Sequence, residues 1–337
     1  MPWIEFLVQV EAHCASRMWF PSARDPAWPS RELRDIAADM IWTIAALYRF
    51  VPVLDPSGLR AVLLDLCTRE AICGTILVAP EGINGTIAGH RAGIDAVLDR
   101  LDHDFGIRAG EVKFSEAAEQ PFARLRIRVR PEIITMRAPE ADPARQVGTY
   151  VEPEDWNALI SDPETLVLDT RNVYETRVGT FAHSVDPRIE NFTQFKDFAE
   201  QQLDPDRHRR IAMFCTGGIR CEKASSYLLA HGFEDVRHLK GGILKYLEVV
   251  PAEESLWQGD CYVFDNRTAV ASAVRPADWQ SCFGCGSPLS PDDRADPRYE
   301  EGVSCPHCAA ELSDEKRARL RMRHAQMKSV DKFSRDG

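Results

Sequence analysis

Apolar positions change their period several times along the chain, and each change marks an element. "IWTIAALYRF" (41–50) is an apolar run of strand length. In "PSGLRAVLLDLCTREAI" (56–72), Leu59, Val62, Leu63 and Leu66 recur at helical spacing and predict one apolar helix face. "GTILVAPEGINGTIAG" (74–89) reads as two strands joined within 80–85, where Asn84-Gly85 supplies a turn signal. "RAGIDAVLDRLDHDF" (91–105) returns to helical spacing, and "ARLRIRVRPEII" (123–134) alternates as a final strand. The order βαββαβ over 40–135 predicts a ferredoxin-like domain.

In that final strand, Leu125, Ile127 and Val129 alternate with Arg124, Arg126, Arg128 and Arg130. Period-two geometry sends the four guanidiniums to one face and the aliphatics to the other. Such a face suits the phosphates of RNA. It equally suits an edge strand that charge protects from further pairing.

Residues 136–152, with Pro139, Pro143 and Gly148, are expected to be a linker. Over 153–257 the runs "TLVLDTR", "RIAMFC" and "DVRHL" are short, apolar and separated by helical stretches. That is the pattern of a parallel sheet covered on both faces. Residues 258–312 are rich in cysteine, and 313–337 read as a charged helix and tail. Residues 1–39 hold three of the seven tryptophans without periodicity. They are expected to be a poorly ordered extension, with the folded architecture opening at Met40; a short docked helix over 30–38 is the alternative.

Composition changes the picture only in part. The 337 residues are 44% hydrophobic and 28% charged, and no stretch reaches the roughly 18 to 20 apolar residues of a membrane span. The N-terminus lacks a basic region followed by an apolar core, so a cytoplasmic protein without a membrane partner is expected. Ten cysteines in that compartment point to catalysis or metal binding rather than disulfides. The net charge of −11 disfavours nucleic acid on its own, yet seven Lys or Arg against one acidic residue lie between Lys316 and Lys332. The global sign decides little.

The chemistry centres on "FCTGGIRCEKAS" (214–225). Cys215 follows an apolar strand, at the end where open α/β sheets place their ligands. A helix is predicted from Cys221, so Thr216, Gly217, Gly218, Ile219 and Arg220 must turn the chain. The two glycines let backbone amides converge, and the helix N-terminus favours an anion at the sulfur. Arg220 adds positive charge, and a thiolate so placed has a lowered pKa. Cys221 either resolves an oxidised Cys215 or packs beneath the loop as a small apolar residue. Asp169 and Arg171 either orient the loop by a salt bridge or form an ordinary strand-end pair.

Cys282-x2-Cys285 and Cys305-x2-Cys308 lie nineteen residues apart, a spacing that fits a closed site of four thiolates around a structural zinc. His307 is expected to be exposed rather than a ligand. Cys14, Cys67, Cys73 and Cys261 carry no readable pattern. There is no haem, flavin or nicotinamide motif and no triad of two His and a carboxylate for iron.

"CTGGIR" resembles the active-site loop of the rhodanese domain, and the resemblance extends over about 155–257 through "VLDTRNVYETRVGTF" and "HLKGGILKY". Its six residues match rhodaneses that handle sulfur; phosphatases of this fold use a longer loop. Taken with "ALYRF", "APEGINGT", "LKGGIL" and "GVSCPHC", the chain resembles the bacterial tRNA uridine hydroxylase family over about 41–312. That resemblance implies oxygen-dependent hydroxylation at C5 of the wobble uridine, with tRNA as partner and O2 as co-substrate. Cys215 is then the catalytic thiolate, with Arg220 and Cys221 beside it. The alternative is a sulfurtransferase carrying a persulfide on Cys215.

Overall fold

The computed structural model describes residues 41–265 and 267–335; the expected extension 1–39, Met40 and Cys14 lie outside them. The first domain contains β1 (Trp42–Phe50), α1 (Pro56–Arg69), β2 (Cys73–Ala79), β3 (Gly82–Gly89), α2 (Arg91–Phe105), β4 (Glu111–Ala117) and β5 (Leu125–Val129). Its sheet runs β4-β1-β3-β2-β5, antiparallel throughout except for the β2–β5 pair. Both helices cover one face, and Leu47, Leu63, Ile76, Ile87, Leu98 and Leu101 fill the space between.

Three details differ from the sequence reading. The strand that completes βαββαβ is β4, "EVKFSEA", and the arginine strand β5 is a fifth, edge strand. Val112 and Phe114 alternate with Lys113 and Ser115, so the strand signal is present but short and charged. The β2–β3 turn falls at Pro80 and Glu81, whereas Asn84 and Gly85 lie inside β3 opposite Leu77 and Ile76. A β-carbon on Gly85 would stand 2.7 Å from the Thr75 carbonyl, so the glycine serves strand approach rather than a turn. In α1 the buried side chains are Leu59, Leu63 and Cys67, an i, i+4, i+8 row, and Val62 is turned to solvent.

The second domain is a parallel sheet in the order β6-β10-β9-β7. It is built from β6 (Thr149–Val151), α3 (Pro153–Ile160), β7 (Thr165–Asp169), α4 (Val173–Thr176), β8 (Gly179–Phe181), α5 (Phe195–Gln202), β9 (Arg210–Phe214), α6 (Ile219–Ala230), β10 (Asp235–Leu239) and α7 (Gly242–Val249). In β9, Ile211 and Met213 face one core while Ala212 and Phe214 face the other, as burial on both faces demands. The expected linker is not a free tether. Met136, Ala138 and Ala141 are buried in the second domain's core, and β6 belongs to its sheet.

The remainder carries β11 (Trp257–Gly259), which pairs with β8, then β12 (Cys261–Tyr262) and β13 (Ala269–Val270). After these come β14 (Gln280–Ser281), β15 (Pro288–Leu289), α8 (Pro291–Ala295) and α9 (Asp314–Arg335). Among the described residues no helix is long and apolar enough to cross a membrane.

Ion pairs join the first two domains. Lys223 on α6, 1% exposed, donates to Glu81 at 2.7 Å and to Glu132 at 2.5 Å. Tyr48 at the end of β1 donates to Glu222 at 2.9 Å. Neither contact is readable from local sequence, because the partners lie 91 to 174 positions apart.

Candidate active site and cysteine cluster

β9 ends at Phe214, so Cys215 stands at the carboxyl end of a central parallel strand. Gly218 has φ 105° and is the N-cap of α6, a conformation that residues bearing a Cβ resist. The turn brings the Gly218 amide to donate to Cys215 Sγ at 3.1 Å. The carbonyls of Cys215 and Thr216 point the other way and accept from Ile243 N at 3.0 Å and Leu244 N at 3.1 Å. Gly242 permits this approach, since a β-carbon there would stand 2.5 Å from the Cys215 carbonyl. Two helix N-termini therefore organise one loop: α6 supplies amides to the sulfur and α7 absorbs the carbonyls.

Cys215 and Cys221 are both fully buried. Burial alone would push the Cys215 thiol up. The Cys221 thiol, the Arg220 guanidinium and the amides of Cys221 and Gly218 outweigh it, holding Cys215 well below the ordinary thiol range. Cys221 moves the opposite way, pushed up by burial and by the neighbouring Cys215. The opposite directions make Cys215 the more readily ionised of the two thiols. Thr170 lies 3.5 Å from Cys221 Sγ and also donates to the Phe214 carbonyl at 3.1 Å.

Arg220 is held by Glu175 through two hydrogen bonds of 2.5 and 2.7 Å. Burial pushes the Glu175 carboxyl up, and the charges of Arg220 and Arg171 more than reverse that. Glu175, within the stretch that resembles rhodanese, is thus the anchor of the loop arginine. Asp169 and Arg171 form a fully buried pair at 2.6 Å. Arg171 also donates to the carbonyls of Glu175 and Gly179, so this pair braces the α4 turn beneath Glu175.

The first domain supplies residues that local motif reading does not single out. Lys113 on β4 donates to the Gly217 carbonyl at 3.3 Å and to the Gly241 carbonyl. Tyr48 covers Gly218 so closely that a β-carbon there would stand 2.7 Å from its hydroxyl. Cross-strand registers place Lys113, Ala46, Thr86, Thr75 and Arg126 in one row, and Tyr48, Asn84, Leu77 and Arg128 in the next. Arg126 and Arg128 therefore share the sheet face that delivers Lys113 and Tyr48 to the loop. At about 4.8 Å per strand, Arg128 stands roughly 14 Å from Tyr48 across the sheet. Arg124, Arg126, Arg128 and Arg130 are all exposed.

The four cysteines of the C-terminal region converge. The sulfurs of Cys282, Cys285, Cys305 and Cys308 lie within 4.8 Å of one another, with separations of 4.0, 3.7 and 3.7 Å among neighbouring pairs. Tetrahedral thiolates about 2.3 Å from a zinc would be about 3.8 Å apart, so the donor set fits. His307 turns away from the cluster and sits 3.2 Å from Asp293 and 3.1 Å from Arg177 of the second domain. Cys67, Cys73 and Cys261 are buried singly.

Residues 42–133 match the family model of the UPF0176 acylphosphatase like domain, and residues 152–248 match that of the rhodanese-like domain. A rhodanese-like domain from Anabaena, solved by NMR, is 21% identical, covering 33% of this chain and 78% of that one at a TM-score of 0.27. An acylphosphatase from Coxiella burnetii is 13% identical, covering 26% of this chain and 93% of that one at a TM-score of 0.20. The Agrobacterium fabrum protein named tRNA uridine(34) hydroxylase is 49% identical over 293 residues, 87% of this chain and 93% of its own length. With nearly the whole of that relative covered and both domains in order, the chain belongs to the tRNA uridine(34) hydroxylase family.

Proposed function

We propose that this protein hydroxylates uridine 34 of tRNA at C5, in an oxygen-dependent reaction that uses Cys215 as a nucleophilic thiolate. The observation that carries the reading is the Cys215 sulfur at the head of α6, which accepts from the Gly218 amide at 3.1 Å with its pKa lowered by the Cys221 thiol, the Arg220 guanidinium and the loop amides. A thiolate adding to C6 of uracil breaks the C5–C6 double bond and leaves carbanion character at C5. The loop amides and Arg220 offset the charge that develops on the ring. With O2 as oxidant, C5 takes up O2, and reduction of the resulting C5 peroxide to the alcohol consumes two electrons and two protons and releases water. Two thiols of an external reductant supply them and leave as a disulfide. Loss of the C5 proton then expels the Cys215 thiolate and restores the double bond.

Cys215 is fully buried, so the base reaches it only after residues packed around the loop move, and Tyr48 and Lys113 of the first domain are among those that touch it. The arginines of β5 lie on the face leading there and suit the phosphates of the anticodon arm. The four C-terminal cysteines would hold a structural zinc that fixes the wall beside the loop. The test is nucleoside mass spectrometry of tRNA from cells carrying Cys215→Ala in place of the wild type. Loss of 5-hydroxyuridine and its derivatives is the expected result. Retention of those nucleosides, with loss of thiolated ones, would assign persulfide transfer instead.

A further inference from the structure

Beside the Cys215 loop, but outside it, runs a groove of about 650 Å³ between α4, the 262–264 stretch and the cysteine-rich region. That size is ordinary for a pocket that holds one small organic group. Its floor is a stepped series of rings. Tyr174 meets Tyr262 edge to face at 5.3 Å, and Tyr262 meets Phe264 edge to face at 5.1 Å. Phe264 ends the series with 64% of its surface exposed. Its ring also stands 5.9 Å from the guanidinium carbon of Arg220, in the first turn of α6. Folding normally hides a phenyl ring of this size, because its burial is worth about 1.5 to 3 kcal/mol. Here the inner side of the ring touches the loop and the outer side is left to the groove.

The polar lining is of two kinds. Arg177 and His307 contact each other at 3.1 Å on one side, and the carboxylates of Glu190 and Glu311 also line the groove. A nucleotide satisfies both kinds. Its phosphate pairs with Arg177, its base edge donates N–H groups to a carboxylate, and its flat face stacks on an exposed ring. A peptide would need an acidic, a donor-bearing and a flat side chain placed together, whereas a single nucleotide carries all three.

We propose that this groove receives an unstacked nucleobase of the anticodon loop next to the reacting uridine, with Phe264 as its stacking platform. The inference rests on the reading of tRNA as substrate. Phe264 is then a specificity residue that holds the loop open while uridine 34 turns toward Cys215. Stacking removed by an alanine substitution typically weakens single-strand binding by about 5- to 150-fold.

The test uses the full chain with an anticodon stem–loop RNA carrying 2-aminopurine beside uridine 34. Wild-type protein, Phe264→Ala and Phe264→Trp are compared for quenching, for binding and for steady-state hydroxylation, read as kcat and KM separately. Expected are quenching by wild type, loss of quenching with a raised KM in Phe264→Ala, and recovery of both in Phe264→Trp. The alkylation rate of Cys215 in the free protein is measured in all three, and a loss of RNA binding larger than any change in that rate separates stacking from loop damage. Unchanged KM and quenching in Phe264→Ala would overturn the proposal while hydroxylation by wild type stands. A Phe264→Trp variant no better than Phe264→Ala would also overturn it. If wild type forms no 5-hydroxyuridine yet quenches in a Phe264-dependent way, the groove assignment holds and the proposed reaction falls.

Discussion

Replacing Lys223 with methionine removes the charge that ties the first domain to the helix behind Cys215. The ammonium donates to Glu81 at 2.9 and 2.7 Å, to Glu132 at 2.5 Å and to the Ile134 carbonyl at 3.1 Å. Methionine nearly matches the lysine stem in volume, so the effect is electrostatic rather than a cavity. Breaking a buried pair from one side costs about 3 to 5 kcal/mol, since the partner is left charged and unpaired. Glu81 and Glu132 keep 21% and 18% of their side-chain surface in water, which places Lys223→Met near the lower end, about 3 kcal/mol.

The pH dependence carries a definite sign. Burial pushes the Glu132 carboxyl up, but the Lys223 ammonium and the amides of Met136 and Arg137 hold it below the usual range. A carboxyl with a depressed folded pKa contributes stability above its unfolded value of about 4.3, and that stability is lost as pH falls through the folded pKa. Urea unfolding followed by circular dichroism should therefore show the full deficit of Lys223→Met at pH 7 and a smaller one at pH 4. A deficit under about 1 kcal/mol at pH 7, or one equal at both pH values, refutes the assignment of a buried charge clamp.

Gly218→Ala combines a left-handed φ with a β-carbon 2.7 Å from the Tyr48 hydroxyl, and is expected to destabilise the chain by at least about 1 to 2 kcal/mol and to slow Cys215 alkylation; thermal melting and iodoacetamide kinetics report the two effects. The acid limb of the Cys215 alkylation profile should lie well below that of a free thiol, because the folded loop holds the sulfur as thiolate; a profile centred near about 8.5 contradicts the loop geometry. Elemental analysis should find one zinc per chain in the wild type, and Cys305→Ser should lower that content while the circular dichroism of the parallel sheet persists. Arg126→Glu with Arg128→Glu should weaken tRNA binding and reduce the salt slope by about 1 for each phosphate no longer neutralised; an unchanged slope removes β5 from the RNA path.

Legibility follows the range of the interactions involved. The strand–loop–helix at Cys215 is local, so "MFCTGGIRCEKAS" displays it: apolar strand, two glycines, helix start. The zinc-type spacing is a pair of local turns and is equally plain. β4 is obscure because seven residues with three charges and one serine look like a loop until β1 is placed beside them. Asn84-Gly85 misleads for the complementary reason. An Asn-Gly pair states what the backbone tolerates, and here close packing against β2, rather than a reversal, uses that tolerance.

The tertiary part of the site belongs to neither domain alone. Cys215, Gly218 and Arg220 lie on the parallel sheet, but Tyr48 fills the space that the missing Gly218 side chain leaves, and Lys113 holds the carbonyls of Gly217 and Gly241. The α7 amides of Ile243 and Leu244 take the carbonyls of Cys215 and Thr216 instead. With the carbonyls of 215–217 engaged from behind or from the first domain, the amides are left to face the sulfur. The Gly218 amide that reaches the Cys215 sulfur thus belongs to a turn that the first domain contacts through Tyr48 and Lys113. The βαββαβ domain, read alone, is a scaffold with a basic edge; docked, it packs Tyr48 and Lys113 against the Cys215 loop. Under the proposed reaction, the Tyr48 and Lys113 contacts move as substrate enters, and binding of RNA on the β5 face would then be coupled to exposure of Cys215.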